Sequence, residues 1–327
     1  MGIELPFVTL DVFTDIRYLG NPLAIVHMNQ GVILSTDQKQ KIAREFNLSE
    51  TVFVDDSSDE TDEVKIHIYT TTQELRFAGH PTIGTGAHLL GSRPSSSDGS
   101  DQELTLITLA GKIPVTYSAS GGLTRLEVPH DITLHPNPIS RHVVARAVGL
   151  QQNVESIIPN IPFSDHRDGV VAVSIVKGLT FALVKLDSLH ALSAAKPTGT
   201  QLTQDELERE DSNAFLGIYL YCVTEESDVD DGSAVTKKLG IHTRMIAGSL
   251  EDPATGSAAS CLSSFLTLMS DAEGIHRFII IQGVEMGRKS NILVDVLPKL
   301  DSSKGRAIDK IWLSGRAVQV MKGTVTV

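Results

Sequence analysis

Two stretches of small residues, far apart in the chain, constrain the fold more than any other feature of the sequence. They are GHPTIGTGAHLL, residues 79–90, and EDPATGSAASCL, residues 251–262. Aligned on their prolines they lie 172 residues apart (252 − 80), close to half of the 327-residue chain. Each predicts a helix that begins at its proline, because the first helical positions need no N–H donor. A repeat at this scale indicates a duplicated fold with two related lobes.

Both predicted helices lack the polar face that a surface helix would show. Gly, Ala, Ser and Thr occupy most positions, and each glycine costs a helix about 1 kcal/mol relative to alanine. Close packing or a ligand is the usual reason to retain such glycines, so we expect both helices to be buried, each inside a curved sheet. His80 and Asp252 are then the predicted N-cap residues. Two helix N-termini meeting at a lobe interface would make a pocket for a carboxylate.

The order of elements around the two helices also repeats. The first half shows two strands, a helix that the capping box Ser35–Gln38 opens, further strands, and then the small-residue helix. The second half shows the same order. The proline-rich segment 129–138 is the predicted linker. The predicted division is an N-terminal lobe of residues 1–128, completed by the C-terminal strand at about 315–327, and a C-terminal lobe of residues 129–314.

Composition and charge exclude several classes of partner. The formal net charge is −12, which argues against binding to nucleic acid or to an anionic membrane. The apolar region 169–186 is interrupted by Lys177 and Gly178, so it predicts two strands and not a membrane span. Cys222 and Cys261 are widely separated and are expected to be buried, reduced thiols. With no secretory pattern at the N-terminus, a cytoplasmic protein is expected.

Two other kinds of enzyme are rejected on motif spacing. A dinucleotide site would need GxGxxG after a strand, whereas GTGAHLLG (84–91) misplaces its third glycine and lies within a predicted helix. A metal hydrolase would be indicated by an HxxxH or HxxE pair with a carboxylate partner. His67, His80 and His88 do not meet that requirement, so no metal is expected.

Six motifs together resemble one family, the PhzF-like proteins, which are the phenazine-biosynthesis isomerases and their relatives. They are GNPLAIV (20–26), REFNLSETVFV (44–54), RFAGHPTIGTGAHLL (76–90), EDPATGSAA (251–259), QGVEMGR (282–288) and SGRAVQV (314–320). The resemblance implies the α+β fold of the diaminopimelate-epimerase superfamily, with two lobes that are each a curved sheet or barrel around a central helix. It also implies an active site in the cleft between the lobes, and a homodimer.

The resemblance further implies which residues act. Glu50, in NLSET, corresponds to the family's acid/base group, and His80, Asp252 and Ser257 complete its catalytic set. The implied substrate-binding residues are Asn21, Ser49, Gly79 and Gly256. The implied reaction moves a proton on a small carboxylic acid with neither a metal nor an organic cofactor.

The chemistry of these residue types suits proton transfer between carbons. The transferring group needs a pKa near the working pH, and burial can raise the pKa of a carboxyl that far. Glu50 precedes the apolar run TVFV, where partial burial is expected. Relatives that racemise amino acids carry a cysteine at each helix start, and neither start has one here. A non-catalytic protein that binds small acids with the same fold is the alternative, and Glu50 decides between the two.

Overall fold

The computed structural model describes most of the chain, namely residues 2–29, 31–55, 62–94, 100–160, 168–203, 215–230, 232–301 and 305–327. The polar segment RPSSSDGSDQ (93–102) predicts a surface loop, and its residues 95–99 lie outside the described residues. The described part contains five α-helices: α1 (Thr36–Phe46), α2 (Gly79–Gly91), α3 (Arg141–Ala147), α4 (Leu189–Ala194) and α5 (Gly256–Leu268). None of these helices is long and apolar enough to cross a membrane.

The described residues also form twenty strands. The first eight are β1 (Glu4–Val12), β2 (Asn21–Met28), β3 (Thr51–Asp55), β4 (Glu63–Tyr69), β5 (Glu74–Leu75), β6 (Gln102–Thr108), β7 (Gly111–Ser118) and β8 (Leu123–Glu127). Five short or medium strands follow: β9 (Thr133–Leu134), β10 (Ile139–Ser140), β11 (Ile157–Ile158), β12 (Gly169–Val176) and β13 (Leu179–Leu186). The last seven are β14 (Phe215–Asp228), β15 (Val235–Ala247), β16 (Leu250–Asp252), β17 (Ile275–Gln282), β18 (Ser290–Asp301), β19 (Gly305–Gly315) and β20 (Ala317–Thr326).

The contacts divide the chain into two compact units. The N-terminal unit comprises residues 1–128 and 313–327, and the C-terminal unit comprises residues 129–312. The predicted linker, 129–138, does not run free, because Thr133 and Leu134 pair with β12 inside the C-terminal unit. That the two units fold as separate domains stays a prediction.

In the N-terminal unit, a mixed sheet surrounds the first small-residue helix. The strand β20 pairs with β1 and β1 with β2, both antiparallel, and β2 then pairs with β3 in parallel. The pairs β3–β4, β4–β5, β6–β7 and β7–β8 are antiparallel, and β4–β6 is parallel. Helix α2 contacts seven of these strands, and nearly all of its residues are buried. The predicted sheet around a central helix is confirmed for this unit.

The C-terminal unit repeats this pairing order. The pair β12–β13 is antiparallel, β13–β14 parallel, β14–β15 and β15–β16 antiparallel, β15–β17 parallel, and β17–β18 antiparallel. This is the order of parallel and antiparallel pairs that runs from β1 to β7 in the N-terminal unit. Helix α5 is also buried and contacts β12, β13, β17 and β18. The strand pairing therefore confirms the duplication that the sequence predicts.

The strand registers show which residues of the two units are equivalent. Glu74 lies in the hairpin β4–β5, five residues before α2 begins at Gly79. Glu251 lies at the matching place in the hairpin β15–β16, five residues before α5 begins at Gly256. The structural repeat is therefore 177 residues (256 − 79), which is five more than the alignment on proline gives.

This offset corrects the sequence alignment at the proposed site. The alignment on proline makes His80 equivalent to Asp252. In the structure the equivalent of His80 is Ser257, since each is the second residue of its helix. Asp252 corresponds to Leu75, since each is the last residue of the second strand of its hairpin. Pro81 and Pro253 therefore do not occupy equivalent positions in the two units.

The prediction that His80 caps the first helix is wrong. Helix α2 begins at Gly79 and its N-cap is Ala78, whose side chain makes no capping hydrogen bond. Pro81 is thus the third helical residue. A proline is tolerated there because the N–H groups of the first turn have no intrahelical acceptor.

The prediction that Asp252 caps the second helix is also wrong. Helix α5 begins at Gly256, with Thr255 as its N-cap. Asp252 instead ends β16, and Pro253 lies in the turn between the strand and the helix. Strand pairing with β15 holds Asp252 in extended backbone, so the helix cannot begin there.

The glycines of α2 allow the strands to approach it closely. A Cβ atom at Gly84 would lie 2.6 Å from Leu23 Cδ2 and 2.8 Å from Val12 Cγ2. A Cβ atom at Gly86 would lie 2.6 Å from Val115 Cγ1. Contacts this short do not occur without displacement of the neighbour, so the packing of the sheet on α2 offsets the low helix propensity of glycine.

We expect Gly86→Val to destabilise the N-terminal unit by about 2 kcal/mol, because the new side chain overpacks a filled core. Gly91→Val is the matched control. It makes the same change of residue in the same helix, but its Cβ would lie 3.4 Å from the Tyr117 hydroxyl, an ordinary contact. Calorimetric melting of both variants measures the difference, and equal melting temperatures would contradict the packing argument.

Candidate functional site

In the N-terminal unit, Glu50 lies at one edge of the sheet. It directly precedes β3, and Asn21 is the first residue of β2. Because β2 and β3 are parallel, with Ala24 opposite Thr51, the starts of both strands lie at the same edge. Asn21 is buried, while Ser49 is exposed and makes a side-chain hydrogen bond to Glu50. The structure therefore brings together three residues that the sequence analysis names.

Burial perturbs the Glu50 carboxyl. Its side chain is 17% exposed, and loss of hydration on burial raises its pKa to about 7, against a smaller lowering by the hydrogen bond from Ser49. Oε2 of Glu50 is buried and makes no hydrogen bond among the described residues. Its nearest basic neighbour is His80, whose Nε2 atom lies 3.5 Å away. A carboxyl with this pKa exists in both protonation states near neutral pH.

His80 and Gly79 place this carboxyl at the N-terminus of α2. Gly79 is the first and His80 the second residue of the helix, and both are buried. The N–H groups of a first turn have no acceptor within the helix and carry the positive end of the helix dipole. This helix end therefore favours negative charge beside Glu50.

In the C-terminal unit, Asp252 belongs to a hydrogen-bonded cluster with Thr255 and Gln282. The Thr255 hydroxyl donates to Oδ2 of Asp252 at 2.5 Å. The side-chain amide of Gln282 donates to the Asp252 carbonyl at 2.8 Å and to Thr255 Oγ1 at 3.0 Å. Gly256 and Ser257 follow as the first two residues of α5, Gly256 buried and Ser257 half-buried.

Thr255 and Gln282 are not among the residues that the sequence predicts for the site. Both lie in motifs that carry the family resemblance, DPATG and QGVEMGR, but neither motif by itself reveals a contact between them. The buried Tyr219 hydroxyl donates to Oε1 of Gln282 at 3.1 Å and extends the cluster into the core. A polar residue at the end of the apolar strand β17 was the signal available in the sequence.

Both thiols agree with the sequence analysis. Cys222 and Cys261 are free and buried. Burial raises the pKa of the Cys261 thiol well above its usual value, so the thiolate that racemases use would not form there. Among the described residues, no three His, Cys, Asp or Glu side chains gather as a group that would hold a metal ion.

Comparison with known proteins gives a consistent result over the whole chain. Residues 10–323 match the model of the phenazine biosynthesis-like protein family, PhzC-PhzF. The chain is 30% identical to an uncharacterized isomerase of Mesorhizobium japonicum, with 97% of each chain covered. It is 27% identical to the trans-2,3-dihydro-3-hydroxyanthranilate isomerase of Pseudomonas aeruginosa, covering 97% of this chain and 98% of the relative.

A solved structure shares the fold. The PhzF-family phenazine biosynthesis protein of Bacillus anthracis superposes with a TM-score of 0.75 at 24% identity, covering 99% of this chain and 100% of that protein. A hydroxyproline epimerase of Agrobacterium vitis has the same fold, with a TM-score of 0.55 at 13% identity, covering 99% of this chain and 91% of that protein. The predicted α+β, epimerase-like fold is confirmed.

Proposed function

Since this chain belongs to the phenazine biosynthesis-like family, we propose that it is a cofactor-independent isomerase that moves a proton on a small carboxylic acid. The isomerase class follows from the relatives that carry that name. The acid/base mechanism and the kind of substrate are the proposal. Glu50 is the group that takes the proton from one carbon and returns it to another.

One observation carries this proposal: the buried Oε2 of Glu50 has no hydrogen bond among the described residues, and its carboxyl has a pKa of about 7. An unsatisfied buried polar atom is costly, so a functional reason is needed to retain it. Proton transfer supplies one. A group with a pKa near the working pH accepts and donates a proton with little driving force lost in either direction.

The other residues receive roles that suit their chemistry. His80 hydrogen-bonds the substrate as charge shifts through it, and Asp252 binds the substrate's polar groups or relays the proton. The Ser257 hydroxyl donates a hydrogen bond to the negative charge that develops on the substrate. Substrate binding is assigned to Asn21, Ser49, Gly79 and Gly256, because the free N–H groups at a helix start favour a carboxylate.

The experiment is isotope exchange in D2O. We expect the wild-type protein to place deuterium at carbon in trans-2,3-dihydro-3-hydroxyanthranilate or in one of a panel of small carboxylic acids, followed by proton NMR. Glu50→Gln keeps the shape of the side chain but removes the titratable group, so it should lower the exchange rate at least a hundredfold. Glu45→Gln, at an exposed glutamate of α1, is the control and should exchange within about twofold of wild type.

Two results would contradict the proposal. Undiminished exchange in Glu50→Gln would remove Glu50 from the mechanism. A lack of exchange with every acid, together with thermal stabilisation by one of them, would favour the alternative of a non-catalytic protein that binds small acids.

We further propose that the protein is cytoplasmic and forms a homodimer. Two free, buried cysteines are compatible with a reducing compartment. Light scattering of the purified protein measures the mass in solution, and a mass near 35.3 kDa would contradict the dimer.

A further inference from the structure

Four residues, Asp252–Thr255, join the end of β16 to the start of α5, and we name them the 252–255 turn. The Gln282 side chain spans this turn. Its Nε2 donates to the Asp252 carbonyl at 2.8 Å, and its Oε1 accepts the Thr255 N–H at 3.2 Å. Because a carbonyl can only accept and an N–H can only donate, these two bonds fix the orientation of the amide. The side chain is fully buried, so no water competes for it.

The fixed amide in turn directs the Thr255 hydroxyl. Nε2 of Gln282 also donates to Thr255 Oγ1, at 3.0 Å, which occupies an acceptor position of the hydroxyl. The hydroxyl hydrogen is then free to point at Oδ2 of Asp252, 2.5 Å away. A short hydrogen bond of this kind to a carboxylate is stronger than one between neutral groups, and it holds the side chain in one rotamer.

Gly283, the residue after Gln282, packs closely against the 252–255 turn. Gly283 has φ +76°, and a Cβ atom there would lie 2.7 Å from the Pro253 carbonyl oxygen and 2.6 Å from that of Arg288. No side chain fits at this position without moving the 252–255 turn. Gly287, five residues from Gln282, has a similar φ of +67°, but a Cβ atom there would meet no atom within 4 Å.

From these contacts we propose that Thr255, Gln282 and Gly283 are positioning residues that fix the Asp252 carboxylate in the orientation the reaction uses. The inference rests on the proposed function, in which Asp252 contacts the substrate. The proposal gives a role to the first two residues of QGVEMGR. The Gln282 amide makes the hydrogen bonds that fix the 252–255 turn, and Gly283 lets its own backbone contact the backbone of that turn. None of the three residues needs to contact substrate.

The first test compares Thr255→Val with Thr255→Ser. Valine matches threonine in shape but donates no hydrogen bond, whereas serine retains the hydroxyl. The readout is the carbon-13 signal of the Asp252 carboxyl, assigned with Asp252→Asn, at neutral pH and with no ligand added. We expect the signal to shift in Thr255→Val and to stay near its wild-type position in Thr255→Ser. An unshifted signal in Thr255→Val would overturn the inference.

Kinetics give a second readout if trans-2,3-dihydro-3-hydroxyanthranilate is turned over. Misplacing a group that contacts the substrate lowers kcat more than it raises KM, so we expect kcat to fall ten- to a hundredfold in Thr255→Val and to recover in Thr255→Ser. A wild-type protein without exchange would reject the proposed function. The carboxyl signal would still decide whether Thr255 positions Asp252.

The second test compares Gly283→Ala with Gly287→Ala. Both variants place alanine at a positive φ, which costs about 1 kcal/mol in either case. Only the alanine at 283 collides with Pro253. We expect Gly283→Ala to shift the Asp252 carboxyl signal and Gly287→Ala to leave it unchanged. The same spectrum in both variants would overturn the assignment of Gly283, and the Thr255 pair decides the rest if Gly283→Ala does not fold.

Discussion

Arg244→Met is expected to destabilise the C-terminal unit by about 3–5 kcal/mol, as removal of one partner of a buried ion pair does. Arg244 is 4% exposed and binds both carboxylate oxygens of Glu251, at 2.8 and 2.9 Å. Its guanidinium also donates to main-chain carbonyls at the end of α4, including that of Leu192 at 2.9 Å. Methionine fills the volume but leaves the Glu251 charge buried with its main partner removed.

A double variant shows whether the Glu251 charge, left without Arg244, causes the loss of stability. Arg244→Met combined with Glu251→Leu removes both charges, and buried ion pairs replaced by apolar residues usually fold with little loss. We therefore expect the double variant to melt at a higher temperature than Arg244→Met alone, measured by calorimetry. If the double variant were equally unstable, the loss would come from the α4 carbonyls or from Glu285, whose Oε2 lies 3.9 Å from Nε of Arg244, and not from Glu251.

The equivalent pair in the N-terminal unit provides a contrast. His67 lies seven residues before Glu74, as Arg244 lies seven before Glu251, and its Nδ1 atom is 2.7 Å from Oε1 of Glu74. Burial lowers the pKa of His67, so the imidazole is uncharged at neutral pH. The contact with Glu74 is then a hydrogen bond and not an ion pair. Glu74 also accepts from the Tyr69 hydroxyl. We therefore expect His67→Gln to cost only about 1 kcal/mol, well below the cost of Arg244→Met.

The sequence predicts the duplication because the residues within each helix and strand are enough to indicate it. Two helices rich in Gly, Ala, Ser and Thr must be enclosed, and the strands that enclose them have their own alternating patterns. The predicted start of each helix is wrong for a different reason. Pro81 and Pro253 look alike in sequence, but one lies within a helix and the other before one. Pro253 lies before its helix because β16 pairs with β15 and holds Asp252 in a strand. The residues around Pro253 do not by themselves predict that pairing.

The site divides in the same way between local and long-range causes. The family resemblance points to Glu50, whereas composition alone would leave it as a surface glutamate at a strand start. Its burial depends on the folded chain, which brings Nε2 of His80 to 3.5 Å from the Glu50 carboxyl. Gln282 lies 30 residues from Asp252, and no periodicity links the two. A contact of that kind follows only from the folded sheet.

The raised pKa of Glu50 also predicts how stability depends on pH. In the unfolded chain the pKa of this carboxyl has its ordinary value of 4.5, and in the folded protein burial raises the pKa to about 7. The folded state therefore binds more protons between these values, and the free energy of unfolding must fall as the pH rises through them. A difference of about 2.5 pKa units corresponds to about 3 kcal/mol, which is lost in full only above about pH 7.

Glu50→Gln removes this pH dependence, so the stability of the variant relative to the wild-type protein should increase as the pH rises. We expect the melting temperature of Glu50→Gln minus that of wild type to increase steadily from pH 4.5 to pH 8, in calorimetry at constant ionic strength. Glu45→Gln, whose carboxyl is exposed, should show a nearly flat difference. A flat difference for Glu50→Gln as well would mean that Glu50 is hydrated in the folded protein. Its carboxyl would then have an ordinary pKa, and the case for it as the proton carrier would fail, because stability and reactivity depend here on the same desolvated group.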